Sequence, residues 1–125
     1  MKALVVDDSK AMRMILKKIL GELGFEVSEA GNGLEGMDLL QKETGIELVL
    51  VDWNMPEMNG YDFVQAIRSK EQYDALRLVM VTSETQPEGI QRVEEAGADG
   101  YVTKPFTRDL LGSKLESLGF MGGRP

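Results

Sequence analysis

Residues 48–60 read LVLVDWNMPEMNG, and the fold of the chain turns on the first five letters. Leu48-Val49-Leu50-Val51 is a short continuous apolar run, the pattern of a strand covered on both faces rather than one. Asp52 closes it, and a Pro, two Met and a Gly follow with no ordinary helix start. A carboxylate at that point either solvates the end of a strand or is held there to react. The rest of the chain bears on which.

Similar runs stand at Ala3 to Val6, Leu78 to Val81 and Tyr101-Val102, with a more polar candidate around Phe25 to Glu29. Helical spacing lies between them. Ala11, Met14, Ile15, Leu16, Ile19, Leu20 and Leu23 predict a wide apolar face, ended by Gly24. Leu34, Met37, Leu39 and Leu40 predict a second helix, and Tyr61, Phe63, Val64 and Ile67 a third. Pro87 opens a fourth, carrying Ile90, Val93 and Ala96 and stopped by Gly97. Leu110, Leu111, Leu115 and Leu118 predict a fifth, capped by Thr107. Strands alternating with helices imply an α/β protein with a parallel sheet covered on both faces. Right-handed crossovers then put the functional crevice at the carboxyl ends of the strands.

Bulk properties narrow the chemistry. The 125 residues suit one domain spanning 1–125, and 42% hydrophobic with 28% charged residues is a globular composition. No leader-like segment opens the sequence and no apolar stretch approaches about 20 residues, so membrane insertion is not expected and a cytoplasmic location is. A net charge of −7 argues against DNA binding, which needs a basic footprint. The chain has neither Cys nor His, so thiolate or imidazole catalysis and ligation are excluded. Carboxylates, hydroxyls, lysine and backbone must do the work.

The strand ends supply such groups: Asp7 and Asp8 after Val6, Asp52 after Val51, Thr82 and Ser83 after Val81, and Thr103, Lys104 and Pro105 after Val102. Each has a plain reading. Asp8 or Ser9 can cap a helix, Asp52 can solvate a strand end, Thr82 and Ser83 are ordinary turn residues, and a lysine before proline says little. Together they bring three acids to one edge of the sheet, where they cannot all stay ionised without a counter-charge. With oxygen donors alone, Mg²⁺ is the expected ion. A carboxylate facing Mg²⁺, lysine and backbone N–H groups is arranged as a nucleophile towards phosphorus, giving an acyl phosphate.

The run VVDDSKAMR (5–13), the stretch VDWNMPEMNG (51–60), the pair Thr82-Ser83 and the run GADGYVTKPF (97–106) resemble the receiver domains of two-component response regulators. Within them the single-domain chemotaxis regulators are the most similar, from Lys2 to about Leu118. The resemblance implies a doubly wound, flavodoxin-like receiver fold with five helices and the five parallel strands in order 2-1-3-4-5. It implies that Asp52 takes a phosphoryl group from the phosphohistidine of a histidine kinase. Asp8, Asp52 and the Asn54 carbonyl would ligate Mg²⁺, with Asp7 acting through a bound water. Lys104, the Thr82 hydroxyl and the N–H groups of Asn54 and Ser83 would hold the phosphoryl oxygens, and the Lys104–Pro105 bond would be cis. Tyr101 would turn inward as Thr82 moves, re-shaping the surface of the fourth helix, fifth strand and fifth helix. Asn54 and Glu84 would set the rate of self-dephosphorylation, and Trp53 would report metal by its fluorescence. Ser83 departs from the Ala common in the chemotaxis subgroup.

The expected protein is thus a phosphorylation-activated switch that modifies itself, not a conventional enzyme. It would act as a monomer without an output domain, binding a downstream protein of the flagellar-motor or chemotaxis kind. Two other readings stay open: a phosphorylation-independent adaptor of the same fold, and a small aspartate-nucleophile phosphatase, which would want a second acid where Asn54 stands.

Overall fold

The computed structural model describes residues 1–52, 60–82, 91–92, 95–104 and 106–120. Its strands are β1 (Lys2–Val6), β2 (Glu26–Ala30), β3 (Ile46–Asp52), β4 (Arg77–Thr82) and β5 (Gly100–Thr103), all parallel, in the order β2-β1-β3-β4-β5. Helices α1 (Lys10–Glu22), α2 (Gly33–Lys42) and α3 (Gly60–Arg68) form the crossovers, a 3₁₀ turn spans Glu71–Tyr73, and a C-terminal helix runs over Arg108–Ser117. Residues 91, 92, 95 and 96 are helical; the start of the fourth predicted helix, at Pro87, lies outside the described residues.

The unbroken apolar runs exist because the sheet is sandwiched. Along β1, β3 and β4, Leu4, Val6, Val49, Val51, Leu78 and Met80 point to one layer, where they meet Leu40 of α2 and Phe63, Val64 and Ile67 of α3. The alternate residues Ala3, Val5, Leu48, Leu50, Val79 and Val81 point to the other, against Leu16 and Leu20 of α1 and Leu111 and Leu115 of the C-terminal helix. Period-two alternation with both faces covered leaves no polar position along Leu4–Val6, Leu48–Val51 and Leu78–Val81 of the central strands.

Helix ends follow their sequence signals. Ser9 caps α1 through the N–H of Met12, Asn32 caps α2 through that of Glu35, and Thr107 caps the last helix through that of Leu110. Gly24, at φ 99°, makes the left-handed turn beyond α1.

The apolar face predicted for α1 is narrower than its sequence suggests. Met14 and Ile15 are 61% and 49% exposed, and Leu34 and Leu110 also face outward. One helix stripe buries about 100° of its circumference, and the 16–20 stripe of α1 already fills the space over the sheet.

Candidate functional site

Parallel strands all deliver their carboxyl ends to one edge, and the terminal residues are the predicted ones. Asp52 and Thr82 are the last residues of β3 and β4, and Asp7 follows β1, its N–H donating to the Ala30 carbonyl at 3.1 Å. Among the described residues, Asp7 (1% exposed), Asp52 (7%) and Thr82 (1%) are the buried polar side chains. Burial of these groups in an otherwise apolar sheet costs stability unless they are paired or ligated.

Asp7, Asp8 and Asp52 each bring a carboxylate oxygen to within 4.8 Å of the others. Lys104 reaches in from the end of β5, its Nζ 3.4 Å from Asp52 Oδ1 and 3.8 Å from Asp7 Oδ2. Its own N–H donates to the Thr82 carbonyl at 2.8 Å, which ties the lysine loop to the end of β4. Thr82 pairs in register with Thr103, and Tyr101 with Met80, so the hydroxyl and the aromatic ring stand on adjacent strands. Tyr101 is half-buried, with Lys114 Nζ 5.7 Å from its ring centroid. Asn54, Ser83, Glu84, Trp53 and Pro105 lie outside the described residues, and with them the expected cis bond and two amide donors.

The acids are unevenly satisfied. Asp7 Oδ1 accepts from the Ser9 N–H at 2.8 Å, while Oδ2 is buried with no hydrogen bond. Burial pushes the Asp7 carboxyl up, and the nearby Asp8 adds to this; the Ser9 N–H, Lys104 and Arg13 pull it back only in part. Three carboxylates face one ammonium, and every donor at hand is a hard oxygen. That arrangement fits a hard divalent cation such as Mg²⁺ and suits no soft one. Asp7 Oδ2 is the buried atom with a coordination to complete.

A cavity of about 430 Å³, lined by Ile46, Tyr73, Arg77 and Phe120, opens at the other edge, where strands β3 and β4 begin. The acid cluster is recognised by its chemistry, and the cavity plays no part in it.

Sequence reading passed over Arg13. It sits three residues before Leu16 and seven before Leu20, on the buried stripe of α1, where a charge needs partners. It has them: NH1 donates to the Asp7 carbonyl at 2.6 Å and Nε to Glu29 Oε1 of β2 at 3.3 Å.

A doubly wound parallel sheet in this strand order, with paired acids, a strand-terminal aspartate, a threonine and a lysine at its carboxyl edge, defines a class. The chain belongs to the response regulator receiver domain family, whose model matches residues 3–116. Within that family it is a CheY-like receiver. It is 43% identical over 119 residues to the Chemotaxis protein CheY homolog of Campylobacter jejuni, covering 94% of this chain and 92% of the relative. Chemotaxis protein CheY1 of Helicobacter pylori is 42% identical over 117 residues, covering 93% and 94%. The structure of the chemotaxis response regulator CheY4 of Vibrio cholerae superposes with a TM-score of 0.87 at 37% identity, covering 94% of this chain and 97% of that one.

Proposed function

We propose that the protein is a chemotaxis-type phosphorylation switch in which Asp52 accepts a phosphoryl group from a phosphohistidine. The observation that carries this is the Asp52 carboxylate, almost buried yet at the strand edge, with Lys104 at 3.4 Å and two further acids beside it. An Asp52 oxygen attacks phosphorus in line; the P–O bond forms as the P–N bond breaks, and the imidazole leaves with the electron pair and takes a proton. When bound at Asp7, Asp8, Asp52 and the Asn54 carbonyl, Mg²⁺ would supply neutralisation of the phosphoryl oxygens. Lys104 exchanges its Asp52 partner for a phosphoryl oxygen, and the Thr82 hydroxyl and the N–H groups of Asn54 and Ser83 hold the others.

Movement of Thr82 towards the phosphoryl group would draw Tyr101 inward and re-shape the face that carries β5 and the C-terminal helix. A partner selective for that state then stabilises it. Water displaces the Asp52 carboxylate from phosphorus and resets the switch, at a rate tuned by Asn54 and Glu84. The partners are a histidine kinase and a flagellar-motor or chemotaxis protein in the cytoplasm. No helix among the described residues is long and apolar enough to cross a membrane.

The test is transfer of labelled phosphate from a phosphohistidine donor, or from acetyl phosphate, with and without Mg²⁺. The expected product is acid-stable, base-labile and cleaved by hydroxylamine, and is absent from Asp52→Asn. Equal labelling of that variant, or none of the wild type, overturns the reading.

A further inference from the structure

The Asp7–Asp8 peptide is held in a way the phosphoryl chemistry does not by itself require. Its carbonyl lies beyond the end of β1, and the Arg13 guanidinium takes it up at 2.6 Å. The same guanidinium is anchored by Glu29 Oε1 at 3.3 Å, and Glu29 is shared with Lys17, whose Nζ lies 3.3 Å from Oε2. Arg13 and Glu29 side chains are only 19% and 31% exposed, so the anchor is part-shielded from water. On the other side, the Asp7 N–H is bonded to Ala30 and the carboxylate Oδ1 to the Ser9 N–H.

A peptide group is planar, so fixing the Asp7 carbonyl also fixes the direction of the Asp8 N–H and the start of the Asp8 chain. With Oδ1 taken by Ser9, the remaining freedom of the Asp7 carboxylate is small, and Oδ2 is left pointing unbonded into the cluster. Beside the Ala30 and Ser9 bonds, the peptide that joins the two acids on the β1 side of the site is therefore held by one arginine. Its planar fork can bond two acceptors in a set geometry, and a lysine at the same place cannot.

We infer that Arg13 is a positioning residue for the cation: its fork, braced on Glu29, orients the Asp7–Asp8 pair for ligation. This rests on the Mg²⁺ dependence proposed above. The sign of its effect separates it from simple electrostatics. Arg13 is a cation close to a cation site, so at a pH where Asp7 is ionised direct repulsion alone would make its removal strengthen Mg²⁺ binding. As a positioning residue its removal weakens binding, and outer partners of metal ligands commonly contribute tenfold or more.

The experiment is calorimetric titration of Mg²⁺ into the wild type, Arg13→Gln, Arg13→Lys and Lys17→Gln, with folding of each verified by thermal melting in chelator. Arg13→Gln is expected to raise the dissociation constant by about tenfold. Arg13→Lys, which keeps the charge and loses the fork, should fall well short of wild-type affinity. Lys17→Gln removes the same charge from Glu29 without touching Asp7, and should bind within about twofold of wild type or slightly tighter. Unchanged or tighter binding by Arg13→Gln, full affinity in Arg13→Lys, or an equal loss in Lys17→Gln overturns the inference. Failure of the wild type itself to bind Mg²⁺ strikes the proposed function instead.

Discussion

Asp7 shows how one side chain can be costly to the metal-free fold and useful to the site. Its carboxyl is pushed up by burial, so the folded chain holds a proton there that the unfolded chain has already lost. Between the ordinary carboxylate range and the raised value the folded state binds more protons, so stability falls as pH rises through that window and is fullest below it. In chelator, urea unfolding across that window is expected to show this decline in the wild type and a flatter profile in Asp7→Asn. Parallel profiles for the two proteins would show that Asp7 is not the group responsible. The same sign makes cation binding stronger as pH rises, because the ligand must be deprotonated.

At the scale of elements, two close approaches set the layers around the site. Gly36 of α2 lies against α3 and β1: a Cβ there would stand 2.9 Å from Phe63 Cε1 and 3.0 Å from Val6 Cγ2. Alanine in place of glycine normally helps a helix by about 1 kcal/mol. Overpacking a filled core costs about 1–3 kcal/mol, and both Phe63 and Val6 are fully buried. Gly36→Ala is therefore expected to destabilise by about 1 kcal/mol on balance, measured by urea unfolding. Combining it with Phe63→Leu should cost less than the two changes added, since the smaller ring position relieves the contact. The second approach is at Arg68 of α3, whose guanidinium donates to the carbonyls of Tyr73, Leu76 and Gly97 and to Asp99 Oδ2 at 2.8–3.0 Å. Asp99 in turn accepts from the Leu78 N–H at the start of β4. At the edge opposite the acids, one arginine thus ties α3 to the segments that lead into β4 and β5.

Taken whole, the molecule is a doubly covered sheet with three acids facing one lysine at one edge, an imbalance that a bound cation would relieve. A ligand that binds only the folded state stabilises it by RT ln(1 + [L]/Kd), about 2.7 kcal/mol at a hundredfold excess over Kd. Mg²⁺ at that excess is expected to raise the melting temperature by something on the order of 10 °C for a domain of this size. Asp8→Asn, which removes one hard ligand and one negative charge, should shrink the rise sharply. An equal rise in both proteins would place the cation elsewhere.

Strand positions, the doubly covered sheet and the convergence of Asp7, Asp52, Thr82 and Lys104 were legible in sequence, because period-two burial and the parallel topology dictate where a strand must end. The strand order itself came from the family's motifs, since apolar runs carry no information on which strand neighbours which. The sequence also left undetermined how wide a stripe α1 buries, which oxygen of Asp7 stays unbonded, and what Arg13 and Arg68 hold. Those depend on contacts between residues far apart in the chain, such as Arg13 with Glu29 and Arg68 with Asp99. Local pattern determines what a residue must be buried or bonded for; only the packing of elements decides which partner it finds.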